Sequence, residues 1–133
     1  METRARVTTG AELPCEVELE AGGQSRVVVF DQPGDFSDGA AGPTSTQAVS
    51  AALASCTAVT LRVYAERKGW SLEGLEVEVA TSYEGPNPKL FTVTIVWPSH
   101  LEPDQVERLT RIAGKCPVHR LLAEATTVEI ETV

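Results

Sequence analysis

The chain has 133 residues, a formal net charge of −8 and only 5% aromatic residues. That length fits a single domain over 1–133, with an aliphatic core that needs no staples. The acidic balance argues against a nucleic-acid partner, whose phosphates need basic patches, and three scattered cysteines argue against a disulfide framework.

The first thirty residues read as strands. Leu13, Cys15, Val17 and Leu19 alternate with Glu12, Pro14, Glu16, Glu18 and Glu20. That is the period of a strand with one buried face, and Pro14 marks an edge or a bulge. "SRVVVF" is a second strand, apolar enough to be covered on both faces. Residues 31–43 carry three Gly and two Pro among acids, a loop long enough to be functional. Within it, Phe36 reads as a packing residue.

From Ser45 the pattern becomes helical. Val49, Leu53, Cys56, Thr60 and Val63 recur at spacings of four, three, four and three and form one stripe. The first half of this helix is apolar nearly all round and reads as buried. Arg62, Glu66, Arg67 and Lys68 carry the second half into water, and Gly69 is the stop. Leu75, Val77 and Val79, then Phe91, Val93, Ile95 and Trp97, give two strands of a hairpin about "GPNPK". Pro103 opens a helix with Val106, Leu109 and Ile112 inward, which Gly114 ends. A shorter helix starts at Pro117. "TTVEIETV" reads as a closing strand with Val128 and Ile130 on one face.

Strands in blocks, rather than alternating singly with helices, give the α+β class with antiparallel sheet. One small sheet has a single face to offer the long apolar helix, so a second copy of the chain is expected to cover the other side. No apolar run is read as approaching the roughly 20 residues of a membrane span. The N-terminus is not read as a secretory signal, so the expected location is cytoplasmic.

In a reducing compartment cysteines are core residues, metal ligands or redox groups. Cys116 and His119 have C-x-x-H spacing, with Cys56 a conceivable third ligand, but structural zinc wants four ligands in two close pairs. Cys15 shares a strand face with apolar residues and reads as a small hydrophobe. Cys116, just before Pro117, falls at a helix N-cap, where unpaired N–H groups favour a thiolate. His119 and Arg120 add positive charge in the same turn; for His119, capping or packing is the commoner role. A redox pair would need Cys56 and Cys116 to bring their Cα atoms within roughly 7 Å, which sequence alone does not establish.

"GPTSTQAVSAALASCTAVTLRVYAERKGW", followed by "KCPVHRLL" with its cysteine sixty residues after the first, resembles the OsmC/Ohr family of thiol-dependent peroxidases, in its OsmC-like branch. The resemblance runs from "SRVVVFDQP" to "VEIETV". It implies an α+β fold with antiparallel sheets wrapped around central helices in an intertwined homodimer. It implies catalytic roles for Cys56, the peroxidatic thiol, and Cys116, the resolving one. It also implies reduction of organic hydroperoxides, with hydrogen peroxide a further substrate in some members. An external dithiol would be the reductant, with no cofactor and no metal. Cys15 matches no family cysteine. The family's glutamate, which holds a thiolate-stabilising arginine, corresponds here to Gln47 or Thr46, and its usual proline to Ser45. Gln47 is therefore the expected supporting residue, with an amide oxygen but no charge. The arginine is open among Arg26, Arg4, Arg6 and Arg62. The missing carboxylate leaves a second reading, a thiol-containing binding or redox-sensing module on the same fold.

Overall fold

A computed structural model describes residues 2–10, 14–32, 34–36, 39–124 and 126–132. The chain divides into two compact units, Met1–Val49 and Ser50–Val133. Its class is α+β with antiparallel sheets, as the blocked strand order implied.

The first unit is a three-stranded sheet of β1 (Thr3–Val7), β2 (Cys15–Ala21) and β3 (Gln24–Phe30) in sequential antiparallel order. β2 begins just after Pro14, which cannot donate to the ladder. Leu13 lies outside the described residues. Cys15 and Val17 are half-buried, as the alternation predicted, but Leu19 is exposed. β3 is not covered on both faces: Val27 is 61% exposed, and among the described residues of this unit no further layer lies over it.

The 31–43 loop is tied at its base. The Asp31 N–H donates to Pro43 O, and its carboxylate accepts from Gln32 N–H and Ala41 N–H. Those two amides hold the Asp31 carboxyl below its usual value. Gly42 runs against β3 so closely that a Cβ there would collide with Val29 O. Phe36 does not pack as expected. It is 60% exposed and adopts the left-handed backbone region, φ 59°.

α1 (Ser45–Lys68) starts at a capping box that the sequence spells T-x-x-Q. The Gln47 N–H donates to Thr44 Oγ1, and Thr44 N–H donates to Gln47 Oε1. The helix ends at Gly69, φ 73°, with Gly69 N–H on Glu66 O and Trp70 N–H on Ala65 O. This pair of bonds is a Schellman motif, available to glycine because the left-handed region costs it nothing. By length and composition alone α1 could cross a membrane, contrary to the expectation that no segment could. Its Ala, Val and Leu outweigh the interspersed Ser and Thr.

In the second unit α1 supplies the core. Leu61, Ala65 and Leu109 are buried together, with Trp70, Leu75, Ile95, Trp97 and Ile112 packed around them. Tyr64 meets Trp70 edge to face at 6.0 Å. The buried residues of α1 are Leu53, Thr57, Leu61 and Ala65, one step around the helix from the predicted stripe. The expectation of burial nearly all round is corrected: Val59 is 58% exposed and Val63 42%. Among the described residues of this unit nothing covers that face.

β4 (Glu76–Glu84) and β5 (Asn87–Val96) form the predicted hairpin, joined by Gly85 and Pro86. Phe91, Val93 and Ile95 turn inward, as the alternation requires. α2 (Pro103–Ala113) has Pro103 at its first position and a Glu102/Gln105 capping box, and buries Leu109. α3 (Pro117–Ala123) follows directly. The closing strand is not formed: residues 126–132 have no strand, with Val128 83% and Ile130 89% exposed. The alternation is present, but a strand needs a partner edge, and among the described residues none pairs with it.

Candidate functional site

α1 and α3 bring two of the three cysteines together. Cys56 lies mid-helix and half-buried, while Cys116 is fully buried at the N-cap of α3. Both are free thiols, close enough that each shifts the other's titration. Pro117 sets this geometry. Its fixed φ suits a first helical residue, and it leaves Cys116 in an extended conformation just outside the helix. The Cys116 Sγ then accepts from the His119 N–H at 3.4 Å.

The two thiols are shifted in opposite directions. At Cys56, burial pushes the pKa up. Hydrogen bonds from the Cys116 thiol, the Val118 N–H and the Thr60 hydroxyl outweigh it and hold the thiol below its ordinary value. At Cys116, burial and the neighbouring Cys56 push the pKa up, against weaker help from the His119 and Val118 amides. The sequence had given Cys116 the more thiolate-stabilising place. That expectation fails because its cap position is closed to water, and a second sulfur sits beside it.

Cys56 opens into a cavity of about 690 Å³. α1 contributes Val59, Thr60, Val63, Tyr64 and Arg67, and Ile112, Lys115 and Pro117 form the opposite wall. The volume lies in the range of small-molecule sites, and most of the lining is apolar.

The other expected site residues fall elsewhere. The Gln47 amide is engaged at both ends: Oε1 accepts from Thr44 N–H, and Nε2 donates to Gly34 O. It caps α1 and ties down the loop. Arg4 pairs with Glu2, Arg26 donates to its neighbour Ser25 O, and Arg62 pairs with Glu66. Arg62 lines a different cavity with Trp70 and Leu75. The donors to Cys56 are thus a hydroxyl, a thiol and a backbone amide. Thr60 could have been singled out from its i+4 spacing to Cys56; the Val118 amide had no sequence signal. Among the described residues no group of three or more His, Cys, Asp and Glu side chains could hold a metal. Cys15 lines a separate, smaller cavity beside Phe30 and Asp31.

The model of the OsmC-like protein family matches residues 37–131, across the boundary between the two units. Several solved structures share the fold. An OsmC-like protein from Mycoplasma pneumoniae is 14% identical, with a TM-score of 0.70 over 92% of this chain and 88% of that one. A putative osmotic stress induced and detoxification response protein from Psychrobacter arcticus 273-4 is 18% identical, with a TM-score of 0.67 over 87% and 85%. The organic hydroperoxide resistance protein OhrB of Bacillus subtilis is 20% identical, with a TM-score of 0.54 over 88% of each chain. No curated protein matches the chain. With the family model spanning most of its length, the chain belongs to the OsmC-like family.

Proposed function

We propose that this protein is a two-cysteine hydroperoxide reductase acting through Cys56 and Cys116. The observation that carries the reading is the pair of mutually shifted free thiols, with its lowered member lining an apolar cavity. The Cys56 thiolate attacks the terminal oxygen of an organic hydroperoxide. The O–O bond breaks, the alkoxide leaves and takes a proton to become the alcohol, and Cys56 becomes a sulfenic acid. The Cys116 sulfur then attacks the Cys56 sulfur. The sulfenic hydroxyl leaves as water with the Cys116 proton, and a Cys56–Cys116 disulfide remains. An external dithiol restores both thiols by exchange and is itself oxidised.

The division of labour follows from the two shifts. The first attack needs a thiolate, which Cys56 provides more readily. The second needs a nearby thiol that stays protonated and unreactive towards peroxide until a sulfenic acid forms beside it. Cys116, buried and raised, has that character.

We read 1–133 as one functional domain in a cytoplasmic homodimer. The exposed Val59 and Val63 of α1, and the unpaired Val128 and Ile130, support the dimer. Hydrogen peroxide is the smaller substrate of the same thiol in this reading.

The test is consumption of cumene hydroperoxide by the reduced protein with a dithiol present, for wild type, Cys56→Ser and Cys116→Ser. Turnover by wild type alone, with an intramolecular disulfide by mass spectrometry, supports the reading. Absence of both overturns it. A second reading, a redox-sensing or binding module on the same fold, is favoured by Gln47, which brings no charge and whose amide is already engaged. It predicts one stoichiometric oxidation without recycling.

A further inference from the structure

The cavity that Arg62 lines lies on the far side of α1 from the thiols. Ala58, Arg62 and Ala65 line it at spacings of four and three, as Cys56, Thr60 and Val63 line the thiol cavity. The two rows are offset by two residues, about 200° around the helix. Neither Val59 nor Val63, the residues that support a dimer, takes part in it.

The opposite wall is the chain that turns back after Gly69, and hydrogen bonds hold it along its length. Trp70 N–H donates to Ala65 O, and His100 Nε2 lies 2.8 Å from Ser71 O. Glu73 N–H donates to Ser71 Oγ, and Leu75 N–H to Leu72 O. The two alanines on the helix side leave a hollow of about 410 Å³, within the range of small-molecule sites. Trp70, Leu72 and Leu75 are half-buried and make its floor apolar. Three charged side chains line the same hollow. Arg62 and Glu66 pair with each other, Nε to Oε1 at 3.0 Å. Glu73 is exposed, and among the described residues it has no ion-pair partner. The uncompensated charge is thus a single carboxylate beside an apolar floor. A neutral ligand would leave that charge unused, and an anion would be repelled by it.

We infer that this cavity binds an organic ammonium ion, with a short apolar or aromatic body on Trp70, Leu72 and Leu75 and its N–H groups on the Glu73 carboxylate. The apolar body supplies most of the affinity through burial. The charge-assisted N–H···O bond selects the cation over a neutral compound of the same shape. Glu73 is the residue that sets this selectivity. The site stands apart from the thiol pair and does not rest on the peroxidase reading.

The full chain is titrated at low salt with 2-phenylethylammonium, 2-phenylethanol and phenylacetate, followed by NMR at the Trp70 indole N–H. The expected order of affinity is ammonium, then alcohol, then carboxylate. The ammonium-to-alcohol preference should be about three- to fivefold, the size of a charge pair still open to water, and should fade as salt is raised. Glu73→Gln should bring that ratio close to one with an unchanged denaturation midpoint, because the side chain is exposed. Glu73→Asp should keep part of the preference. Glu78→Gln, exposed on β4 and outside the cavity, should keep all of it. Equal binding of ammonium and alcohol, a preference that survives Glu73→Gln, or loss of the preference in Glu78→Gln as well overturns the inference. So does a Trp70 indole signal that none of the three ligands moves, the result expected if a second copy fills the hollow. Failure to turn over cumene hydroperoxide would strike the peroxidase reading and leave this binding ratio as it is.

Discussion

The middle of α1 and the start of α3 each present a cysteine, and the two positions treat it differently. Cys56 sits inside a continuous helix, where the backbone amides are already used, yet its thiol is the one held low. Cys116 sits at a helix N-cap, with an amide aimed at its sulfur, yet its thiol is held high. A local position counts for less than the sum of what surrounds the sulfur. Two groups at the start of α3, the Cys116 thiol and the Val118 amide, and Thr60 of its own helix lower Cys56, while Cys116 is closed to water and has another sulfur beside it.

The largest test of this contrast is chemical. Cys56→Ser is expected to abolish peroxide consumption and sulfenic acid formation, as trapped by dimedone. Cys116→Ser should still form the Cys56 sulfenate once, lose recycling, and accumulate sulfinic acid under excess peroxide, read by mass spectrometry. If Cys116→Ser turned over at the wild-type rate, the assigned roles would be wrong.

Packing gives the next largest effect. Leu109 is fully buried against Leu61 and Ala65, so Leu109→Ala should cost about 2–5 kcal/mol through lost transfer energy and a cavity. Urea denaturation followed by Trp fluorescence would measure it.

The pH dependence sharpens the comparison directly. The rate of iodoacetamide alkylation follows thiolate, so at Cys56 it should level off below the ordinary thiol range near about 8.5. At Cys116 it should rise only above that range. Thr60→Val and Cys116→Ala each remove a donor and should move the Cys56 inflection upward; Thr60→Ser should restore it. An inflection unmoved by Thr60→Val would remove the hydroxyl from the account. In stability the two thiols oppose each other. The lowered Cys56 contributes stability present above its unfolded value and lost as pH falls through its folded one. The raised Cys116 contributes stability present below its unfolded value and lost as pH rises through its folded one.

The smallest effect lies at the other end of α1. Gln47→Ala removes one half of the capping box and the tie to Gly34, and should lower stability by about 1 kcal/mol. Thermal melts would read this, and the Cys56 alkylation profile would show whether Gln47 bears on the thiol.

The elements most legible in sequence were those with strong periodicity or punctuation. Ser45–Lys68 ran from a polar start to Gly69, and the hairpin strands alternated cleanly about Gly85 and Pro86. Pro117 fixed both the start of α3 and the cap position of Cys116. The misses share a cause. Val128 and Ile130 alternate like a strand, but pairing is not a local property. Val27, Val59 and Val63 read as buried because apolarity was taken for coverage. The family resemblance gave the first attack to Cys56, but the direction of the two thiol shifts was not legible in the residues themselves, because the Val118 amide has no sequence signal and matters only once α3 lies on α1. Gln47 was weighed for the charge it lacks, while Thr44 to Gln47 spelled a capping box in plain letters.

The Cys116 sulfur is a structural acceptor, and in the proposed cycle it would be a reactant as well. As a thiol it takes the His119 N–H and closes the first turn of a seven-residue helix that has no buried side chain of its own. Any bond made at that sulfur changes its electron density and its direction, and so alters the hold on that turn. If the pair oxidises as proposed, the start of α3 would register it, and hydrogen exchange at the His119 amide would be the measurement.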